Sequence, residues 1–210
     1  MTDPDCDGMI CSDMLQTFAI DEFIRYPQYD KMRKSGDIAL IRLNRKAVFT
    51  EYVIPICLPS LETLSRNYLE RKFIVAGWGA TEIGEFLINT TWHALDERNA
   101  ADPNEEISSE VKQWLRVPVV NNSRCAETLH VTMDETFMCA GTVEGEATCI
   151  GDSGGPLMMH ESVIHYRPGE QWVVVAIVQG GTWICGTKGF PGLYTRVEPY
   201  IHWILDNIRP

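Results

Sequence analysis

The hexapeptide Gly151-Asp152-Ser153-Gly154-Gly155-Pro156 decides the reading of this chain. It sets one serine between glycines, which let the backbone turn sharply and leave room for an incoming chain. A serine hydroxyl is a weak nucleophile unless a neighbouring base takes its proton. The N–H groups of Gly151 and Ser153 can converge on one point and form an oxyanion hole for an acyl-transfer intermediate. Asp152 lies beside that hole and calls for a cationic partner if it is buried. The alternative is a Gly-rich surface turn that happens to carry a serine. Six matching residues make a longer pattern than a bare Gly-x-Ser-x-Gly.

Working outward, the chain reads as short strands separated by turn signals. Residues 16–26 mix aromatic and β-branched residues and stop at Pro27. Residues 38–43, 73–78, 117–120 and 172–178 are further apolar runs, and together they predict an all-β barrel architecture. Only residues 200–208 read as a helix, with Ile201, Ile204 and Ile208 on one face. At 210 residues with 45% hydrophobic content, the chain is long enough to bury a sizeable core. It has no run of about 18 apolar residues that would span a bilayer. A net charge of -11 argues against nucleic-acid binding, which needs a basic footprint.

Four more segments occur in an order that matters. Asp37-Ile38-Ala39-Leu40 and Val75-Ala76-Gly77-Trp78-Gly79 precede the serine motif. Pro191-Gly192-Leu193-Tyr194-Thr195-Arg196-Val197 and Tyr200-Ile201-His202-Trp203-Ile204 follow it. In this order and spacing the chain resembles the chymotrypsin/trypsin family of serine endopeptidases over nearly its whole length. Residues 2–7, with Cys6, and Ile54-Pro55-Ile56-Cys57-Leu58-Pro59 are similar to arthropod clip-domain serine proteases, which act in extracellular cascades. The resemblance implies a chymotrypsin-like double six-stranded β-barrel with a C-terminal helix. Residues 1–72 would form part of the first barrel, 73–200 the second and 200–210 the helix.

The same resemblance assigns roles. Ser153 would be the nucleophile and Asp37 the aspartate that orients a catalytic histidine. The family's Ala-His-Cys segment is expected upstream of Asp37, and so is its Ile-Val-Gly-Gly start; neither occurs here. The first barrel is therefore expected to be incomplete, and Met1, which no signal-peptide pattern follows, reads as a truncated or internal start. His93, His130, His160, His165 and His202 all follow Asp37 and read as surface histidines. Without the base the chain by itself is expected to be close to inert. Ala147 would floor the specificity pocket, where trypsin-like members carry an aspartate, so a preference for Arg or Lys should be lost. Gly181 and Gly192 would keep the pocket walls open to a large apolar side chain. Gln179 and Gly180 replace a usual serine and aromatic residue on the strand that pairs with substrate.

Seven cysteines point to an oxidising compartment, and the odd count predicts one paired outside the chain or free. The resemblance pairs Cys6–Cys11, Cys125–Cys139 and Cys149–Cys185, and leaves Cys57 to tether an upstream clip segment. No Cys-x-x-Cys pair favours a zinc site instead. Residues 83–110 are polar and acidic and read as a surface insertion, with a partner-binding loop as the sharper alternative. Asn89 and Asn121 open N-glycosylation patterns. Residues 3–8 imitate the start of an EF-hand, but Met14 stands where a bidentate Glu is required. No cofactor is expected, although a structural calcium on such a loop stays open.

The expectation is a secreted serine endopeptidase domain, made as a zymogen and acting on a protein or peptide substrate, with neither nucleic acid nor membrane as partner. The alternative is a non-catalytic serine protease homologue serving as a binding cofactor. Ala147, Gln179 and Gly180 speak for it and Ser153 against it. A third reading is a fragment without function.

Overall fold

The computed structural model describes residues 6–7, 10–60, 67–80, 109, 111–141, 148–163, 169–181 and 186–208, with backbone alone at 6–7, 10, 161–163 and 169–170. A closed six-stranded barrel holds the larger part of it. Its strands are β5 (Lys72–Gly77), β6 (Gln113–Val120), β7 (Phe137–Ala140), β8 (Pro156–Val163), β9 (Gly169–Gly180) and β10 (Gly192–Arg196). They pair antiparallel in the order β10-β7-β6-β5-β8-β9, and β10 closes on β9. Upstream lie a two-residue pair, β1 (Cys6–Asp7) with β2 (Ile10–Cys11), and a separate two-stranded sheet, β3 (Ile20–Arg25) with β4 (Ala39–Leu43). This is a mostly β, chymotrypsin-like fold with one closed barrel and a second, two-stranded sheet.

The barrel follows from alternation. Phe73 and Val75 of β5, Val117 and Val119 of β6, and Leu157 and Met159 of β8 point inward and are buried. All four residues of β7 are buried, as are the first four of β10, because these strands are covered on both faces. Inside lies the barrel core; outside lies helix α1 (Asn122–Leu129). That helix was not expected. Its signals are local: Asn121 caps it by accepting the Ser123 N–H at 2.9 Å, and His130 ends it in the left-handed region at φ 53. Cys125 of α1 is bonded to Cys139 of β7, which fastens the helix to the barrel.

The C-terminal helix α2 (Ile201–Asn207) follows a 3-10 turn, Glu198–Tyr200. Ile201 and Ile204 are buried as expected, but Ile208 falls beyond the helix end and is 58% exposed. The buried pair meets Ile38, Val197 and Tyr200 in a cluster of its own. Tyr26 completes that cluster with edge-on contacts to Tyr200 at 4.8 Å and Trp203 at 5.3 Å. The helix thus holds the β3–β4 sheet against the barrel. The opposite face of that sheet is apolar and uncovered: Ile20, Phe23 and Ile41 are each more than half exposed. The expected insertion at 83–110 lies outside the described residues except Ser109, which donates to the Trp78 carbonyl at 2.9 Å.

Candidate active site

Ser153 sits in the turn before β8, and backbone bonds fix that turn on β9. The Gly154 N–H donates to the Val178 carbonyl at 2.8 Å, and the Val178 N–H donates to the Gly155 carbonyl at 2.9 Å. Gly151 stands at φ 96, a conformation that a side chain would strain. The Ser153 hydroxyl and the N–H groups of Gly151 and Ser153 have no hydrogen-bond partner among the described residues. Both residues are exposed, so a serine hydroxyl and two backbone donors without partners among the described residues lie together at the surface.

The sequence asks for a cation beside Asp152. Among the described residues none pairs with it, and two backbone donors take that place. Asp152 is half-buried; its Oδ1 accepts the Gly79 N–H and its Oδ2 the Cys149 N–H, each at 2.9 Å. A Cβ at Gly77 or Gly79 would run into the Asp152 carboxylate. This contact explains two glycines of Gly77-Trp78-Gly79, which the sequence shows only as a pattern.

Among the described residues, two cavities open on Ser153. One, of about 190 Å³, is lined by Thr148, Cys149, Ile150, Val178, Gly180 and Gly181 besides Ser153. Of the residues expected at the specificity pocket it includes Gly181; Ala147 lies outside the described residues. Near it, a Cβ at Gly192 would crowd the Thr148 hydroxyl and the Tyr194 ring at 3.2 Å. Burial pushes the Tyr194 phenol up to about 12; the Thr148 hydroxyl partly offsets this and the nearby Asp152 charge adds to it. The Tyr194 phenol is therefore neutral at any physiological pH.

The second cavity, of about 390 Å³, brings Ser153 and Asp37 to one space, together with Arg25, Tyr29, Gly154 and Gln179. Asp37 is exposed, next to the buried Ile38 that anchors its segment. Gln179 Nε2 donates to Asp37 Oδ2 at 3.2 Å and to the Lys34 carbonyl at 2.6 Å. The structure therefore turns Gln179 toward Asp37, a contact that sequence reading missed because the partners are 142 residues apart. Among the described residues no histidine lines either cavity; His130, His160 and His202 are exposed elsewhere, and His93 and His165 lie outside the described side chains.

Of the cysteines, Cys11 and Cys149 are each disulfide-bonded, to partners whose side chains lie outside the described residues. Cys57 is free and half-buried; its thiol donates to Gln171 Oε1 at 3.4 Å, and its backbone bridges to Val173 of β9. Asn121 is exposed at the cap of α1, and Asn89 lies outside the described residues. The side chains of residues 3–8, where a calcium loop was considered, also lie outside them. No helix among the described residues is long and apolar enough to cross a membrane.

An exposed serine with free backbone donors, an aspartate across a shared cavity and a closed barrel beneath them define a serine protease site of the chymotrypsin type. The comparisons agree. The family model described as Trypsin matches residues 12–204, and the chain belongs to the trypsin family. It is 36% identical over 217 residues to phenoloxidase-activating factor 1 of Holotrichia diomphalia, covering 100% of this chain and 51% of that protein. It is 33% identical to melanization protease 1 of Drosophila melanogaster, covering 99% of this chain and 48% of that protein. A CLIP domain-containing serine protease of Bombyx mori, HP8, is 35% identical, with 99% and 51% covered. The chain spans about half the length of the curated relatives it matches.

Proposed function

We propose that this chain is the greater part of the protease domain of a secreted clip-type serine endopeptidase that cleaves a protein substrate in an extracellular cascade. The observation that carries the reading is the unpartnered Ser153 hydroxyl, facing the same cavity as Asp37 and flanked by the free N–H groups of Gly151 and Ser153. The Ser153 Oγ attacks the scissile carbonyl while a base takes its proton. The two N–H groups hold the oxyanion, and the amine leaves with a proton from the same base. The acyl group on Ser153 is then released to water. Asp37 orients the base, a histidine that the family places before this aspartate in chain order. Without a base, oxyanion and binding contributions leave only ~10³–10⁴-fold acceleration over water. The relatives' names support cascade proteolysis: one is a phenoloxidase-activating factor and another a Spaetzle-processing enzyme. Cys57 would tether an upstream clip segment, and removal of a zymogen segment would supply the cation that Asp152 lacks here. The side chain accepted before the cleaved bond would be large and apolar, because Ala147 offers an Arg or Lys no counter-charge.

Gln179 and Gly180 favour a second reading, a non-catalytic homologue that binds without cutting. A fluorophosphonate probe on the activated full-length protein separates the two. Labelling that is lost in Ser153→Ala supports the protease. No labelling of the activated wild type rejects it in favour of the homologue.

A further inference from the structure

We infer that Gln179 is the positioning residue of this site: its amide clamps the Asp37 carboxylate and the Lys34 carbonyl together onto strand β9. The inference rests on the protease reading above and adds a residue to its machinery.

Three observations carry it. Gln179 Nε2 lies 2.6 Å from the Lys34 carbonyl and 3.2 Å from Asp37 Oδ2. Both partners are pure acceptors, so the amide has one sensible orientation, with its NH₂ toward them. The second observation is what this orientation costs. Among the described residues Gln179 Oε1 is buried without a partner, and a buried orphan acceptor is rare enough to need a reason. Turning the amide would place oxygen against two oxygens, so the side chain keeps the orphan to keep both donors in use.

The third observation is the loop that Gln179 holds. Lys34 stands at φ 57 and Gly36 at φ 67, so the chain turns through left-handed conformations just before Asp37. A lysine rarely adopts that region and needs surrounding contacts to stay there. The loop closes on itself through the Asp30 N–H to the Ser35 carbonyl at 2.9 Å and through Asp30 Oδ1, which accepts the Met32 and Arg33 N–H groups. Its carbonyl at Lys34 is then free for the barrel, and Gln179 takes it. The glutamine thereby aims Asp37, with β9 as its rigid base.

The test compares wild type, Gln179→Ala and Gln179→Met in the activated full-length protein. Methionine keeps the length and volume of glutamine and removes its donors. A hydrogen bond to a charged group is worth roughly ten- to hundredfold. Both variants should therefore lose about that much in kcat, with KM within about twofold. Wild-type kcat in Gln179→Met would show that the side chain only fills space and would overturn the inference. Limited digestion with trypsin reads the mechanical half: nicking after Arg33 or Lys34 should quicken in both variants, and an unchanged rate in Gln179→Met overturns the clamp. An unlabelled wild type in the fluorophosphonate assay rejects the protease reading and with it the part of Gln179 in that reaction; the digestion still decides the clamp.

Discussion

Gly79→Ala, made in the full-length protein, should destabilise the barrel by about 3 kcal/mol, chiefly through Asp152. The backbone at Gly79 lies outside the left-handed region, so alanine carries no conformational strain there. Its Cβ would stand 2.5 Å from Asp152 Cγ and Oδ1 and 2.6 Å from Oδ2. The carboxylate must then leave, losing the Gly79 and Cys149 N–H groups that it accepts at 2.9 Å. Hydrogen bonds to a charged group contribute about 1.5–3 kcal/mol, and overpacking costs about 1–3 kcal/mol. Because Asp152 is half-buried, the lower end applies to each of its two bonds, and the carboxylate's departure relieves the overpacking, which leaves about 3 kcal/mol. Urea denaturation followed by tryptophan fluorescence gives the cost, and the same substitution in an Asp152→Ala background isolates the cause. There, with the carboxylate gone, Gly79→Ala should cost less than about 1 kcal/mol, a coupling of about 2 kcal/mol. Equal costs in both backgrounds would refute the argument that Asp152 reserves this glycine.

Three further outcomes follow from the fold. The raised phenol of Tyr194 holds its proton in the folded state up to about 12, whereas the unfolded chain releases it near 10. Stability is therefore intact below pH 10 and falls by about 2–3 kcal/mol as pH rises through 12; Tyr194→Phe should flatten that stretch of the stability–pH curve. The isolated 210-residue chain exposes Ile20, Phe23 and Ile41 on a two-stranded sheet and should associate. Size-exclusion chromatography with light scattering would contradict this by finding a monomer that melts cooperatively. Cys57→Ser in the activated full-length protein should release an upstream fragment on a non-reducing gel; if wild type releases it equally, Cys57 is no tether.

Much of this architecture was legible because it is periodic or local. Apolar runs located β5, β6 and β9 of the barrel, although they cut β9 to its apolar middle: the structure runs the strand from Gly169 to Gly180, with polar ends that pairing extends, and β7 and β8 were not read as strands. Helix α1 was missed because Asn121-Asn122-Ser123 was read only as a glycan acceptor, when the same side chain caps a helix. Ser153 and Asp37 were readable from motif order. What brings them into one cavity was not, since the docking rests on Tyr26, Ile38, Tyr200 and Ile204, residues scattered across the chain. Gln179 looked like a lapse from a family pattern, and only tertiary contact reveals its bond to a carbonyl 145 residues away.

The C-terminal helix has a consequence for handling this protein. Ile201 and Ile204 share their buried cluster with Ile38, one residue from Asp37, while the barrel keeps its own separate core. Trimming the chain after Val197, or forcing a bulky fusion against α2, would leave the barrel and its Ser153 turn standing and cast Asp37 adrift. Such a preparation would look folded by spectroscopy and yet have lost the cavity that Ser153 and Asp37 share.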